Sequence, residues 1–157
     1  MTDAVAQLLP LFPAVPLIAA AFALLAPWRA VRDSIMLIIP GMGIFAGLGL
    51  LMYTMNNGVV AHTVGLYQGN VGIPFAADAF SALMIITTMI VAFGANWFAI
   101  AGGETKSRFY PSLTLILITG VCGALLTADL FNFFVFIEVM LLPSYGLITT
   151  VSYTHLT

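Results

Sequence analysis

The sequence predicts an all-α, polytopic membrane helix bundle, and its composition and the spacing of its polar residues are the basis of that prediction. Of the 157 residues, 62% are hydrophobic and only 6% are charged, whereas soluble domains carry roughly a quarter charged residues. The polar residues leave five apolar runs of about the length that crosses a bilayer, which is roughly 20 residues. We therefore expect about five transmembrane helices.

Charge and cysteine content exclude several other classes of protein. Four Lys or Arg and six Asp or Glu provide neither a basic surface for nucleic acid nor an acidic disordered tail. The single cysteine, Cys122, cannot form an internal disulfide, and we interpret it as a small buried packing residue. His62 and His155 are far apart and show no zinc-binding spacing. We expect neither a metal nor a cofactor.

The five helices follow one another with short connections, apart from one long loop. Their approximate limits are Val5–Pro27, Ser34–Tyr53, Ala77–Ala101, Tyr110–Thr127 and Asp129–Thr150. The first run could be a secretory signal, but we interpret it as a retained transmembrane helix, because its start has no positive charge and Pro10, Pro13 and Pro16 interrupt it. The segment Asn56–Pro74 is rich in glycine and asparagine and is predicted to be a loop.

Small residues at helical spacing indicate close packing between these helices. Gly43 and Gly47 form a GxxxG motif in the second helix, and Gly120 and Ala124 form a similar pair in the fourth. The alternative is that glycine is simply common in membrane helices. The sequence alone leaves both interpretations open.

The basic residues predict an orientation. Arg29 and Arg32 follow the first helix, and Lys106 and Arg108 follow the third, so both predicted loops lie on one side of the membrane. The positive-inside rule places that side in the cytoplasm. We therefore expect the N-terminus and the Asn56–Pro74 loop to lie outside.

Two aspartates stand at the outer starts of predicted helices. Asp78 precedes most of the third helix, and Asp129 begins the fifth. Each can cap its helix by accepting hydrogen bonds from free backbone N–H groups, or can have a role in ion access. Asp3, Asp33 and Glu104 fall at ends or in loops and are interpreted as solvated charges.

Glu138 is the acidic residue that the sequence places inside the membrane. It follows Asp129 by nine residues, which at about 1.5 Å per residue is some 13 Å, close to the middle of a hydrocarbon core about 30 Å thick. A charge there costs at least about 2.5 kcal/mol. Glu138 is therefore either a proton carrier, as intramembrane carboxylates often are, or a neutral, hydrogen-bonded structural group. Pro143 and Tyr145 could extend a polar path inward or could serve only packing and kinking.

The residues around Glu138 also carry a family resemblance. From Thr127 to Leu147 the chain reads TADLFNFFVFIEVMLLPSYGL. This stretch resembles the fifth transmembrane helix of the D-type subunit of Mrp-type multisubunit sodium/proton antiporters and, less closely, the antiporter-like subunits of respiratory NADH:quinone oxidoreductase. Gly72-Ile73, followed by Asp78 to Met84, resembles the start of that family's third helix, so the resemblance covers roughly residues 5–150.

The resemblance implies a role and a set of partners. It implies that Glu138 transfers protons, working against a lysine on a later helix, yet no lysine follows Lys106 in this chain. Residues 1–150 would then be the N-terminal part of a larger subunit in the bacterial inner membrane, with other antiporter subunits as partners and protons and sodium as the transported ions. Residues 151–157, which include His155, are interpreted as a non-native tail.

Three functional hypotheses are consistent with the sequence. The first is a non-enzymatic subunit of a cation/proton antiporter. The second is a proton-pumping subunit of a quinone oxidoreductase. Pro143 resembles the sequences of those respiratory-complex relatives. The third is a membrane scaffold without transport, which predicts that Glu138 can be replaced without consequence.

Overall fold

A computed structural model describes residues 2–65 and 71–155, with side chains described for residues 4–65 and 71–150. The elements in chain order are α1 (Thr2–Leu8), α2 (Leu11–Leu25), α3 (Arg29–Asn57), β1 (Val60–Val64), β2 (Ile73–Ala77), α4 (Ala79–Gly102), a 3₁₀ turn (Glu104–Lys106), α5 (Tyr110–Leu126) and α6 (Leu130–His155). Four described helical segments are long and apolar enough to cross a membrane, namely α1 with α2, α3, α4 and most of α6, and α5 is a shorter apolar helix. The prediction of a polytopic, all-α membrane bundle is confirmed.

The first predicted helix is interrupted between α1 and α2, and proline explains the break. Pro10 and Pro13 lack the N–H groups that would bond to the carbonyls of Ala6 and Leu9 four residues earlier. Those carbonyls instead accept hydrogen bonds at 3.2 Å from the backbone N–H groups three residues later, at Leu9 and Phe12. The chain therefore tightens for one turn before α2 continues.

The basic segments meet at one end of the bundle, as the orientation argument requires. Helix α3 begins at Arg29, earlier than predicted, so Arg29 and Arg32 lie in its first turn and not in a loop. Arg29 Nη2 donates to Thr105 Oγ1 at 3.0 Å. Arg108 Nε donates to the carbonyl of Leu24, near the end of α2, at 3.1 Å. We call this the basic end.

The long loop was predicted to lack structure, and this prediction was wrong. Strands β1 and β2 form an antiparallel hairpin in which Val60 lies opposite Ala77. His62 lies in β1 opposite Phe75 and is partly buried. Ala128, just after α5, donates its N–H to the carbonyl of Pro74 at 3.0 Å. The hairpin and the α5–α6 turn therefore share the opposite end of the bundle, which we call the hairpin end.

Close approach at glycine joins the helices in pairs. A Cβ atom at Gly43 would lie 2.6 Å from the sulfur of Met89, and one at Gly47 would lie 2.8 Å from a side-chain carbon of Ile86. The GxxxG motif thus faces α4, on which α3 packs extensively. Helix α5 packs against both α2 and α6, and Cys122, in its second half, is fully buried, as expected.

One interhelical hydrogen bond compensates for a proline inside α3. Pro40 has no N–H, so the carbonyl of Met36, four residues earlier, lacks its helical donor. Asn96 of α4, which is 1% exposed, donates its side-chain Nδ2 to that carbonyl at 2.9 Å. The bond satisfies a buried backbone group and links α3 to α4 within the membrane-spanning part of the bundle.

Candidate functional site

The candidate site lies on α6, whose start is defined by Asp129. Asp129 Oδ2 accepts a hydrogen bond from the backbone N–H of Asn132 at 3.3 Å, which satisfies one of the free donors at a helix start. The helix then continues through Pro143 to His155, beyond its predicted end. Because Pro143 has no N–H, the carbonyl of Val139 has no helical donor. The side chain of His155 and residues 156–157 lie outside the described part of the chain.

One face of α6 is pressed against α5. A Cβ atom at Gly123 would collide with the ring of Phe136, and one at Gly120 would lie 3.1 Å from the backbone nitrogen of Met140. Successive helical residues are rotated by about 100°, so Met140 and the buried Pro143 lie within about 40° of Phe136 around the helix. The glycines of α5 therefore determine which face of α6 is covered.

Glu138 and Tyr145 lie together on the opposite face. At about 100° per residue, Glu138 is about 200° from Phe136 and Tyr145 is about 180° from it. Both side chains are exposed, Tyr145 to 65%. Within residues 4–65 and 71–150, Glu138 has no hydrogen-bond or ion-pair partner. Most of the residues around them on this open face are apolar and exposed, among them Phe131, Phe134, Leu141 and Leu142.

The second aspartate of the predicted site caps another helix. Asp78 Oδ1 accepts a hydrogen bond from the backbone N–H of Ser81 at 2.7 Å at the start of α4. That bond holds the pKa of the Asp78 carboxyl below its ordinary value. Asp78 and Asp129 both lie at the hairpin end, so the structure does not bring either of them next to Glu138, which lies more than two helical turns along α6.

The structure also contains a polar cluster that the sequence did not reveal. Thr105, which is fully buried, accepts from Arg29 and donates to Asp33 Oδ2 at 3.3 Å, while Arg29 Nε lies 3.5 Å from the same carboxylate. Asp33 was expected to be a solvated charge, but its side chain is only 16% exposed. The four-residue spacing of Arg29 and Asp33 was a visible signal for their ion pair. No sequence signal marked Thr105.

These positions limit what Glu138 can do within the described residues. All four basic residues of the chain lie near the basic end, and none contacts Glu138. An ionised carboxylate on a face that lies in hydrocarbon is costly. Glu138 can therefore be charged at low cost only if a cation or polar group from outside the described residues reaches it. No group of three or more potential metal-ligating side chains occurs in the described part of the chain.

Comparisons with known proteins identify relatives, although no family model matches the chain. The chain is 38% identical over 144 residues to the D-type Na(+)/H(+) antiporter subunit of Alkalihalophilus pseudofirmus, covering 85% of this chain and 28% of that protein. It superposes with a TM-score of 0.85 and 44% identity on a chain of the Mrp complex from Dietzia, covering 90% of this chain and 27% of that one. A chain of an archaeal membrane-bound sulfane sulfur reductase shares the fold, with a TM-score of 0.74 at 22% identity and coverage of 90% of this chain and 29% of that one. The chain thus spans less than a third of the length of the curated relative.

Proposed function

We propose that this chain, a homologue of part of the D-type subunit of Mrp-type sodium/proton antiporters, acts in a cation/proton antiporter complex of the bacterial inner membrane. Its partners are the other antiporter subunits, and its transported ions are protons and sodium. The identity to D-type subunits of known antiporters carries this proposal. Residues 1–150 correspond in this proposal to the N-terminal part of the subunit, and residues 151–157 to a non-native tail.

In this proposal Glu138 is the proton carrier. Its carboxyl lies on the open face of α6, where a cationic side chain from a further helix can approach it without displacing α5. An approaching cation favours the charged form, and its withdrawal favours the neutral form, so movement of the cation drives uptake and release of the proton. A carboxyl enclosed by α5 could not meet a new partner in this way.

Tyr145 extends the polar path on the same open face. It is seven residues after Glu138, nearly two full turns, so the two side chains lie one above the other along the helix. The carbonyl of Val139, left without a donor by Pro143, adds an acceptor one residue from Glu138. Asp78 and Asp129 cap their helices and, in this proposal, also attract cations to the hairpin end.

The functional test is a substitution series in the full-length parent within its complex. Glu138→Gln keeps the size and hydrogen bonding of the side chain but cannot exchange a proton, so we expect normal assembly and no proton-coupled transport. Glu138→Asp should retain partial activity, and Tyr145→Ala should slow transport less because water can replace one hydroxyl. Proton movement is measured in everted vesicles. Wild-type rates in an assembled Glu138→Gln complex would refute the proton-carrier role and favour a scaffold.

We also propose that the basic end faces the cytoplasm and the N-terminus faces outside. Cysteine labelling with an impermeant thiol reagent tests this in intact cells, after Cys122 has been replaced. Asn57 at the hairpin end and Lys106 at the basic end are both exposed, whereas Thr105 is fully buried and unsuited as a probe. We expect labelling of Asn57→Cys but not of Lys106→Cys. The reverse pattern would invert the orientation.

A respiratory-complex subunit is the second candidate, because the sulfane sulfur reductase chain shares the fold. Fold alone does not distinguish the two, since both kinds of subunit can use an intramembrane carboxylate. The genes beside the parent gene do distinguish them, because antiporter subunits and quinone-reducing subunits have different companions. We further expect that the 157-residue chain alone restores no sodium tolerance to an antiporter-deficient host, because it has no lysine beyond Lys106.

A further inference from the structure

The hairpin contacts α6 close to the candidate proton carrier. The ring of Phe75, in β2, packs on the ring of Phe136, in α6, with 6.4 Å between the ring centroids and 53° between the ring planes. Aromatic rings attract each other over centroid distances of about 4.5–7 Å. Phe75 is only 6% exposed, and Phe136 precedes Glu138 by two residues. The hairpin therefore reaches α6 within one helical turn of Glu138.

The backbone around Phe75 is held on both edges of β2. On one edge, Phe75 pairs with His62 of β1. On the other edge, it forms a bridge with Thr127, in the connection between α5 and α6, and the carbonyl of Pro74 accepts the hydrogen bond from Ala128 at 3.0 Å. Because this part of β2 is restrained on two sides, the ring of Phe75 has a fixed position from which it supports α6.

Phe136 is restrained by α5 as well as by the hairpin. A Cβ atom at Gly123 would collide with the ring of Phe136, so α5 leaves room for that ring only because this residue is glycine. The hairpin thus meets the α6 segment at two heights. The first is Thr127, just before the helix begins, and the second is Phe136, six residues after Leu130, or about 9 Å along the helix. A helix held in this way resists both tilting and rotation about its axis.

Rotation of α6 would displace the carboxyl of Glu138. A helix with its side chains is about 10–12 Å across, so the end of a side chain lies about 5–6 Å from the axis and moves about 2 Å when the helix rotates by about 20°. Misplacement of a reacting group by about 1 Å can lower a rate about 100-fold. A proton carrier that must meet a partner on the open face therefore depends on the rotation of α6.

We propose that Phe75 is a positioning residue for Glu138, which holds Phe136 and thereby fixes the rotation of α6. This inference rests on the proposed role of Glu138 as the proton carrier. Phe75 acts from the opposite side of the helix, since Phe136 and Glu138 are about 200° apart around α6. The hairpin is accordingly part of the transport machinery, although it lies at one end of the bundle.

Substitutions of Phe75 in the full-length parent within its complex test this role. Proton movement in everted vesicles is divided by the amount of assembled complex, which is measured by co-purification of the companion subunits. Phe75→Leu weakens the contact and should lower transport per complex severalfold, and Phe75→Ala removes the contact and should lower it at least tenfold. Phe80→Ala is the matched control, because Phe80 is 66% exposed in the first turn of α4 at the same end of the bundle. It should stay within twofold of wild type.

The amount of assembled complex separates positioning from a purely structural role. A structural role predicts that the Phe75 variants yield less complex but that each assembled complex transports at the wild-type rate, and this result would overturn the proposal. If Phe75→Ala does not assemble, Phe75→Leu decides the question, because leucine still fills most of the buried site.

A double-mutant cycle tests whether Phe75 acts through Phe136. Phe136→Leu removes the partner ring, so adding Phe75→Leu in that background should change transport per complex less than twofold. Independent residues would instead multiply their separate effects. Multiplied losses would overturn the proposed route through Phe136.

Glu138→Gln in the same vesicles distinguishes failure of this inference from failure of the proposed function. We expect the Gln variant to be inactive and the Phe75 variants to be slow. An inactive Gln variant with wild-type transport per complex in both Phe75 variants would leave the proton-carrier role intact and overturn the positioning role. Wild-type transport in Glu138→Gln would overturn both.

Discussion

Helices α5 and α6 are both apolar and lie side by side, yet their polar side chains differ in whether they have hydrogen-bond partners. In α5, Ser112 Oγ donates to the carbonyl of Ala20 at 3.0 Å and Thr119 Oγ1 donates to that of Leu115 at 3.1 Å. In α6, Glu138 and Tyr145 stand on an exposed face without a partner among the described residues. Polar side chains that are packed between helices therefore stabilise the fold, whereas those on the open face of α6 are available to a partner from outside the described residues.

The largest loss of stability should come from breaking the contact between α5 and α6. Gly123→Leu places a side chain where the ring of Phe136 lies, and overpacking of this kind costs about 1–3 kcal/mol or more. We expect a marked loss of thermal stability in detergent. Gly49→Leu, where a Cβ atom has nothing within 4 Å, is the control and should be nearly neutral. Equal losses in both variants would show that the contact at Gly123 is not special.

The next largest loss of stability is expected from breaking the hydrogen bond between α3 and α4. Asn96→Leu should cost about 1–2 kcal/mol, because the carbonyl of Met36 loses the side-chain donor that Asn96 provides. Pro40→Ala restores an N–H at position 40, so the Asn96 substitution should cost clearly less in that background. A double-mutant cycle of unfolding in detergent measures the coupling. Additive costs would mean that Asn96 does not compensate for Pro40.

A smaller effect is expected at the helix caps of the hairpin end. Asp78 accepts at 2.7 Å and Asp129 at 3.3 Å, so Asp78→Ala should cost about 1 kcal/mol and Asp129→Ala less. The lowered pKa of Asp78 means that its contribution is present above the ordinary value of 3.8 and is lost as the pH falls through the lower folded value. Melting curves at pH 7 and at pH 3 should show the difference between wild type and Asp78→Ala shrinking in acid. A difference that grows in acid would contradict this assignment.

The smallest losses of stability are expected from substituting one serine in α5 and one in α6. Ser112→Ala in α5 removes the bond to Ala20, and interhelical hydrogen bonds in membranes contribute about 0.6 kcal/mol on average. Ser144→Ala in α6 changes an exposed side chain and should change stability by less. Transport in the assembled complex should be unaffected by Ser112→Ala. If Ser144→Ala proved the more destabilising of the two, the contrast between packed and open faces would be wrong.

Much of the bundle could be predicted because hydropathy and charge act over whole segments. The apolar helical segments, the shared location of the basic residues and the burial of Cys122 all follow from such averages. The hairpin was missed because Pro74 and the glycines favour a loop, whereas the pairing of Pro74 with Ala128 depends on a contact far along the chain. The sequence also did not predict that α3 begins at Arg29, because Thr105, the hydrogen-bond partner of Arg29, is distant in sequence.

The distance of Glu138 along α6 was predictable, but the direction of its side chain was not. Nine residues after Asp129 correspond to about 13 Å along the helix, because helical rise is constant. Which face it occupies could not be deduced, since apolar residues surround it on every side of α6. The glycines of α5 decide the matter, because Gly120 and Gly123 admit Phe136 and Met140 and so turn Glu138 away.

The hydrogen bond between Ala128 and Pro74 also sets an order of events during biosynthesis. Strand β2 leaves the ribosome well before Ala128, with all of α4 and α5 between them. The free edge of β2 can therefore be covered only after α5 has been delivered to the membrane. The hairpin end can therefore close only when α4 and α5 have both been inserted. A chain whose translation stops inside α5 leaves the edge of β2 accessible to chaperones and proteases.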